Sequence, residues 1–227
     1  MNESLAFGVR KHRQWTVVHS EVEVPPKHDP SLVRKKYAIP DDIFVVGTVA
    51  RAEYVKGVRY FVEGIIELEK TSLQVPVVYL IVGGGAELTM LKDLCLIHGI
   101  NRKVIFTDMQ EDVFQFMSCM NIYVQPSLNE GMGKTIVQAQ SLGLPVIATK
   151  VQGIPDVVID GKTGILVPPK DAKSIAFALL KLLRDKELAR AMGNAGRERV
   201  KELVDGFPRY SSESMIFLLE RIYHEAG

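Results

Sequence analysis

Residues 121–148 read NIYVQPSLNEGMGKTIVQAQSLGLPVIA, a strand, a helix and a second strand in succession. Asn121–Gln125 is an apolar run of strand length, and Lys134–Leu142 carries apolar residues three or four apart, the period of a half-buried helix. Pro145–Ala148 is a second strand-length run. A strand, a crossover helix and another strand form a unit that places the two strands parallel in one sheet.

The same alternation extends in both directions. Strands are predicted at Ile43–Ala50, Val77–Val82, Lys103–Phe106 and Gly164–Val167, and helices at Val58–Lys70, Glu87–His98, Glu111–Met120 and Ala172–Arg184. The runs FVVGTVA and VVYLIVGG are apolar without alternation, as expected of strands buried on both faces. The expected fold is a doubly wound, Rossmann-like α/β domain on a parallel six-stranded sheet. Beyond Val167 only helices are expected, at Lys186–Leu203 and Ser211–Glu225, divided by Gly206 and Pro208. The first thirty residues differ, because WTVVHSEVEV is strand-like but runs into Pro25, Pro26 and Pro30, which together resist regular structure. Residues 1–30 are therefore read as a linker or the remnant of another domain, and 31–227 as the folded domain.

Composition bounds the function. A chain of 227 residues is long enough for one large core, and 47% hydrophobic with 24% charged residues excludes general disorder. The 28 Lys and Arg against 27 Asp and Glu leave no net field to attract nucleic acid, so any anion binding is local. Cys95 and Cys119 lack metal spacing and suit free thiols in a reducing cytoplasm. No stretch is apolar for the ~18 residues of a membrane span, which leaves peripheral membrane contact open.

Ligands of open parallel sheets bind outside the carboxyl ends of the strands, so the loops there hold the candidates. The first, RAEYVKG, puts the cations of Arg51 and Lys56 five positions apart; they point into one cleft or decorate a solvated turn. The second, Gly83, Gly84 and Gly85, lets a backbone approach a ligand or merely makes a tight turn. No full dinucleotide fingerprint follows, because Glu87 and Leu88 stand where its last glycine would fall. The third, PSLNEGMGKT from Pro126 to Thr135, enters a helix through Gly131 and Gly133. Helix N-termini expose unpaired amides and partial positive charge, so this is a natural phosphate cradle, although the glycines alone would also serve the turn. It lacks the Walker spacing. Phe114, Met117 and Met120 are read as helix core, His98 as a helix C-terminal residue, and Asp156 as structural.

Several ordered segments agree at once: GTVAR with Lys56 and Gly57, LIVGGG, VIF, YVQPSLNEGMGK and SLGLPVIATKVQGIPDVVIDGKTGILVPP. From about Ile39 to Leu203 the chain resembles the C-terminal, donor-binding domain of retaining GT-B glycosyltransferases, the group that includes sucrose synthases and mannosyltransferases. The resemblance implies a hexosyltransferase that takes a nucleoside-diphosphate sugar, retains anomeric configuration and needs no cofactor. Arg51 and Lys56 would neutralise the diphosphate, Gly83, Gly84 and Gly131 would lie along the donor, and the amides near Met132, Gly133, Lys134 and Thr135 would complete the cradle. Glu130 would contact hydroxyls of the transferred sugar. The family's Glu-x7-Glu signature ends here on Gln138, which would meet the ribose; a carboxylate accepts from both ribose hydroxyls, whereas an amide offers one acceptor and one donor. Eight helical residues span ~12 Å, so Glu130 and Gln138 cannot serve one atom as acid and base. No Asp-x-Asp pair is present to hold a divalent metal. The resemblance also implies an N-terminal acceptor domain, absent here, so the isolated chain is expected to bind donor and transfer little. A non-catalytic nucleotide-binding module or regulatory subunit is the alternative; a related nucleotide-sugar epimerase is disfavoured, because its usual acid and base residues are not identifiable in this sequence.

Overall fold

The computed structural model describes residues 18–24, 28–204 and 206–226. Six parallel strands form one sheet: β1 Phe44–Val49, β2 Val77–Val82, β3 Val104–Phe106, β4 Ile122–Gln125, β5 Val146–Thr149 and β6 Gly164–Val167, in the order β3-β2-β1-β4-β5-β6. β1 is central, running from Phe44 opposite Val77 to Val49 opposite Val82, with Val46 opposite Ile122 on its other side. Its unbroken apolar run follows from that position, since every residue after Phe44 is buried.

Helices cover both faces. α2 (Val58–Glu69), α3 (Leu88–Ile97) and α7 (Ala172–Arg184) bury Phe61, Ile65, Leu91, Ile175, Leu179 and Leu182 in one cluster with Val46, Tyr79, Ile81 and Ile122 of the sheet. α7 forms because Ile175, Leu179 and Leu182 recur along one face and because Asp171 caps it, accepting the Ser174 amide at 2.9 Å. Truncating the fully buried Leu179 to Ala is expected to cost about 2–5 kcal/mol. α4 (Val113–Ser118), α5 (Lys134–Ser141) and α8 (Lys186–Lys201) are the remaining crossover and closing helices, with the short α1 (Pro30–Lys36) beside α4 and α6 (Ile154–Val157) after β5.

Each predicted strand lies within one residue of an observed one, and α7 has the predicted bounds. Met117 and Met120 are buried, and His98 terminates α3 with its amide on Leu94. Two expectations are corrected. The segment after Val167 is not only helical: the helix predicted to Leu203 stops at Lys201, and Leu203–Val204 (β7) pairs antiparallel with Phe207–Pro208 (β8). Gly206, at φ 88°, takes the left-handed conformation this tight hairpin requires. Pro30 does not resist regular structure either. It begins α1, where its missing N–H costs nothing and Asp29 caps the Ser31 amide at 2.9 Å. Pro25, Pro26 and residues 15–17 of the strand-like opening lie outside the described residues, and 18–24 form no regular element.

The chain divides into two compact units. Val22–Lys201 contain the sheet and its helices. The second includes the described parts of 18–21 and 202–226, with the β7–β8 hairpin and α9 (Ser212–Ala226). In it the Phe207 and Phe217 rings lie 5.6 Å apart, and Arg209 donates to Glu202 at 2.7 Å.

Candidate functional site

The strand order reverses between β1 and β4, because β1 passes to β2 on one side while β4 returns to its other side. Loops leaving such neighbours diverge to opposite faces and open a crevice at the carboxyl edge. Here the two loops are held edge to edge: the Leu128 amide donates to the Val55 carbonyl at 2.8 Å. Gly57 sits at φ 63°, and a Cβ there would lie 2.1 Å from the Pro126 carbonyl oxygen, so only glycine permits the approach. A Cβ on Gly153, in the loop after β5, would fall 1.8 Å from the Gly131 oxygen. The Gly83–Gly85 loop supports the opposite flank. Cβ atoms at Gly83 and Gly85 would strike the carbonyls of Ala50 and Ala52, and the Ala52 amide donates to Gly84 at 2.8 Å.

This clamping brings together side chains far apart in sequence. Lys56, from the β1 loop, donates through Nζ to Glu130 Oε2 of the β4 loop at 2.9 Å, with the two side chains 25% and 16% exposed. Ser127 Oγ donates to the same oxygen at 3.3 Å and Gln125 Nε2 at 3.5 Å. Behind them the Gln125 amide is buried: its Oε1 accepts from Tyr123 at 2.6 Å and Thr135 at 3.0 Å, and its Nε2 donates to Ser127 at 2.8 Å. Thr149 Oγ1 donates to the Ser127 carbonyl. Burial pushes the Tyr123 hydroxyl far above the ordinary phenol range, which keeps it a neutral hydrogen-bond donor.

α5 begins directly beyond this group. Its cap, Gly133, is left-handed at φ 76° and offers no side chain to the helix. The amides of Lys134 and Thr135 open the first turn, where an α-helix has no internal acceptors and carries positive partial charge. Ile136 already donates to the Gly133 carbonyl at 2.8 Å.

The sequence candidates divide accordingly. Lys56, Glu130 and Thr135 meet in one network, while Gly131, Met132, Gly133 and Lys134 line the approach to α5. Arg51 lies on the same loop as Lys56, but its guanidinium pairs with Glu53 at 2.8 Å and is 66% exposed. Gln138 is half-buried on α5 and its side chain bonds none of the described residues. Gln125 and Ser127 were not expected as site residues. The available signal was a glutamine closing the otherwise apolar strand IYVQ, a polar group whose burial demands partners. Each loop cation therefore faces a carboxylate, and an incoming anion must compete with Glu53 for Arg51 and with Glu130 for Lys56.

Two depressions lie elsewhere on the larger unit. One of about 420 Å³ is lined by Glu63, Leu94, His98, Lys170 and Lys173, and one of about 410 Å³ by Ile43, Leu73, Pro76 and Lys103, at the amino ends of β1–β3. Neither includes a residue of the Lys56–Glu130 group.

Comparison with known proteins gives a consistent result. Residues 31–199 match the family described as glycosyl transferases group 1. The chain is 29% identical over 199 residues to the N-acetyl-alpha-D-glucosaminyl L-malate synthase of Bacillus anthracis, covering 88% of this chain and 50% of that protein. It is 35% identical over 167 residues to the D-inositol 3-phosphate glycosyltransferase of Corynebacterium jeikeium, covering 70% of this chain and 40% of the relative. Among solved structures, Anabaena HepE in complex with UDP and glucose superposes with a TM-score of 0.73 at 20% identity, covering 86% of this chain and 51% of that one. The chain thus spans about half the length of the curated relatives it matches.

Proposed function

This chain belongs to the glycosyl transferases group 1 family, and on that premise we propose that it is the donor-binding domain of a glycosyltransferase that grips a nucleoside-diphosphate sugar at the β1–β4 crevice. The observation that carries the reading is the meeting of Lys56 and Glu130, from two different loops at the switch point, beside the uncapped start of α5. Ammonium, guanidinium and helix-end amides suit two linked phosphoryl groups, and a carboxylate beside them suits sugar hydroxyls. The HepE complex supports the class of ligand, since a protein of this fold holds UDP and glucose.

In this reading the bond between the anomeric carbon and the diphosphate oxygen breaks, and a bond from that carbon to an acceptor oxygen forms. The acceptor's proton leaves with the diphosphate or to solvent. Negative charge gathers on the departing diphosphate, where Arg51, Lys56 and the amides of Lys134 and Thr135 stabilise it without a metal ion. Glu130 holds the sugar, Gln138 meets the ribose, and configuration is retained. Gly83 and Gly84 set the position of the β1 loop along the donor. An acceptor domain completes the enzyme, so this chain binds donor and transfers little by itself, in a reducing compartment where Cys95 and Cys119 stay free. A second reading, a nucleotide-binding module without catalysis, is favoured by one observation: Gln138 stands where the signature has a carboxylate.

Calorimetric titration of the chain with uridine, guanosine and adenosine diphosphates, alone and as sugar conjugates, tests the proposal. Wild-type protein is expected to bind one of them, and Arg51→Ala and Lys56→Ala each to weaken it by about tenfold or more. Unchanged affinity in both variants would move the phosphates elsewhere. Robust transfer to an acceptor by the chain alone would overturn the claim that a second domain is needed.

A further inference from the structure

We propose that Gln125 is a positioning residue that locks the Glu130 carboxylate so that one of its oxygens, Oε1, is presented to the donor sugar. The claim rests on the donor-binding reading for its ligand but on this chain's geometry for its substance. Gln125 closes β4 and is 1% exposed, and burying an amide is costly unless both its ends are satisfied. Its orientation follows from its neighbours. Ionised Glu130 only accepts, so the nitrogen end of Gln125 must be the one facing Oε2 at 3.5 Å and Ser127 Oγ at 2.8 Å. The oxygen end then faces the hydroxyls of Tyr123 and Thr135, at 2.6 and 3.0 Å.

Every hydrogen bond in this relay therefore runs one way, from Tyr123 and Thr135 through Gln125, partly by way of Ser127, to Glu130 Oε2. With Lys56 added, Oε2 takes three donors. Oε1 takes none from the described residues, and on a side chain 16% exposed it is not sealed from solvent. The carboxylate is held by one oxygen and offers the other. Thr135 gives the arrangement a second consequence: it stands in the first turn of α5, where the diphosphate binds in the reading above. Gln125 thus ties the diphosphate end of the site to its sugar end through two hydrogen bonds. An amide suits this place because it accepts at one end and donates at the other.

Two substitutions of similar shape separate positioning from mere packing. Gln125→Glu keeps the acceptor end but sets a carboxylate against Glu130, and Gln125→Met fills the volume without donors. Crystal structures of both variants, and calorimetry of the 227-residue chain with uridine, guanosine and adenosine diphosphates and their glucose conjugates, read the effect. The expected result is that Glu130 leaves Lys56 in Gln125→Glu. Affinity for the free diphosphate is then kept or improves, as Lys56 is released, while affinity for the glucose conjugate falls by about tenfold or more. Glu130 unmoved in both variants, or equal weakening of both ligand forms, overturns the proposal. Should Gln125→Glu fail to fold, Gln125→Met and Ser127→Ala, each removing one of the three donors to Glu130 Oε2, give the same two readouts. Wild-type protein that binds none of the six probes would overturn the donor-binding reading, and the position of Glu130 in the variants would still decide the positioning claim.

Discussion

Two ion pairs whose cations share the β1 loop provide an internal test of how burial sets electrostatic strength. Lys56–Glu130 and Arg51–Glu53 have nearly equal separations, 2.9 and 2.8 Å, but their side chains are 25% and 16% exposed in the first and 66% and 36% in the second. At an effective dielectric near 20 either pair has a gross attraction of about 6 kcal/mol, so distance does not distinguish them. Desolvation offsets most of that in the half-buried pair, but Gln125 and Ser127 already orient Glu130, and a charge-assisted bond in such a setting is worth about 1.5–3 kcal/mol net. Solvent screening and side-chain entropy leave the exposed pair about 0–1 kcal/mol. Double-mutant cycles with Lys56→Met and Glu130→Gln, and with Arg51→Met and Glu53→Gln, measured by urea denaturation without ligand, give the two coupling energies. The half-buried pair is expected to couple by at least about 1 kcal/mol more, or roughly 2–4 °C in thermal midpoint for a chain of this length. Equal couplings would mean that the donors gathered around Glu130 contribute nothing to holding Lys56.

Three further outcomes are expected from the same geometry. Gly57→Ala is expected to destabilise by at least about 2 kcal/mol, since it combines left-handed strain with a Cβ 2.1 Å from the Pro126 oxygen, and to weaken nucleotide binding by parting Lys56 from Glu130; a thermal midpoint unchanged by the substitution would contradict this. Gly153→Ala, with its Cβ 1.8 Å from the Gly131 oxygen, is expected to displace the approach to α5 and lower diphosphate affinity more than Gly161→Ala, whose Cβ meets nothing within 4 Å, as titration of both variants would show. Burial pushes the Cys95 and Cys119 thiols from 9.0 up to about 11, so both should resist aromatic disulfide reagents at pH 8 in native protein and react once it is unfolded in urea. Their stabilising contribution is complete below the unfolded value and is lost as pH rises from about 9 through about 11, at up to about 1.4 kcal/mol per pH unit for each thiol, which urea melts across that range would detect.

The larger elements were legible because period and burial are written locally. Ile175, Leu179 and Leu182 recur at helical spacing whatever surrounds them, and FVVGTV is continuous because both sheet faces are covered. The β7–β8 hairpin was hidden, since two-residue strands leave no period to read, and Gly206 marks a break in the helices without specifying that a hairpin forms around it. α1 was missed because Pro30 reads as a breaker until Asp29 is recognised as its cap.

The alternation of strands and helices, the loops that end at the carboxyl edge, and Lys56 and Glu130 as candidates are all written in the order of residues. That these two meet, and that Arg51 turns to Glu53 instead, emerges from the folded chain alone. It also showed that Gln125, an unremarked strand end, joins them to α5. The physical reason is range: helix and strand preferences act over a few residues, whereas Lys56 and Glu130 lie 74 positions apart and meet only where β1 and β4 become neighbours.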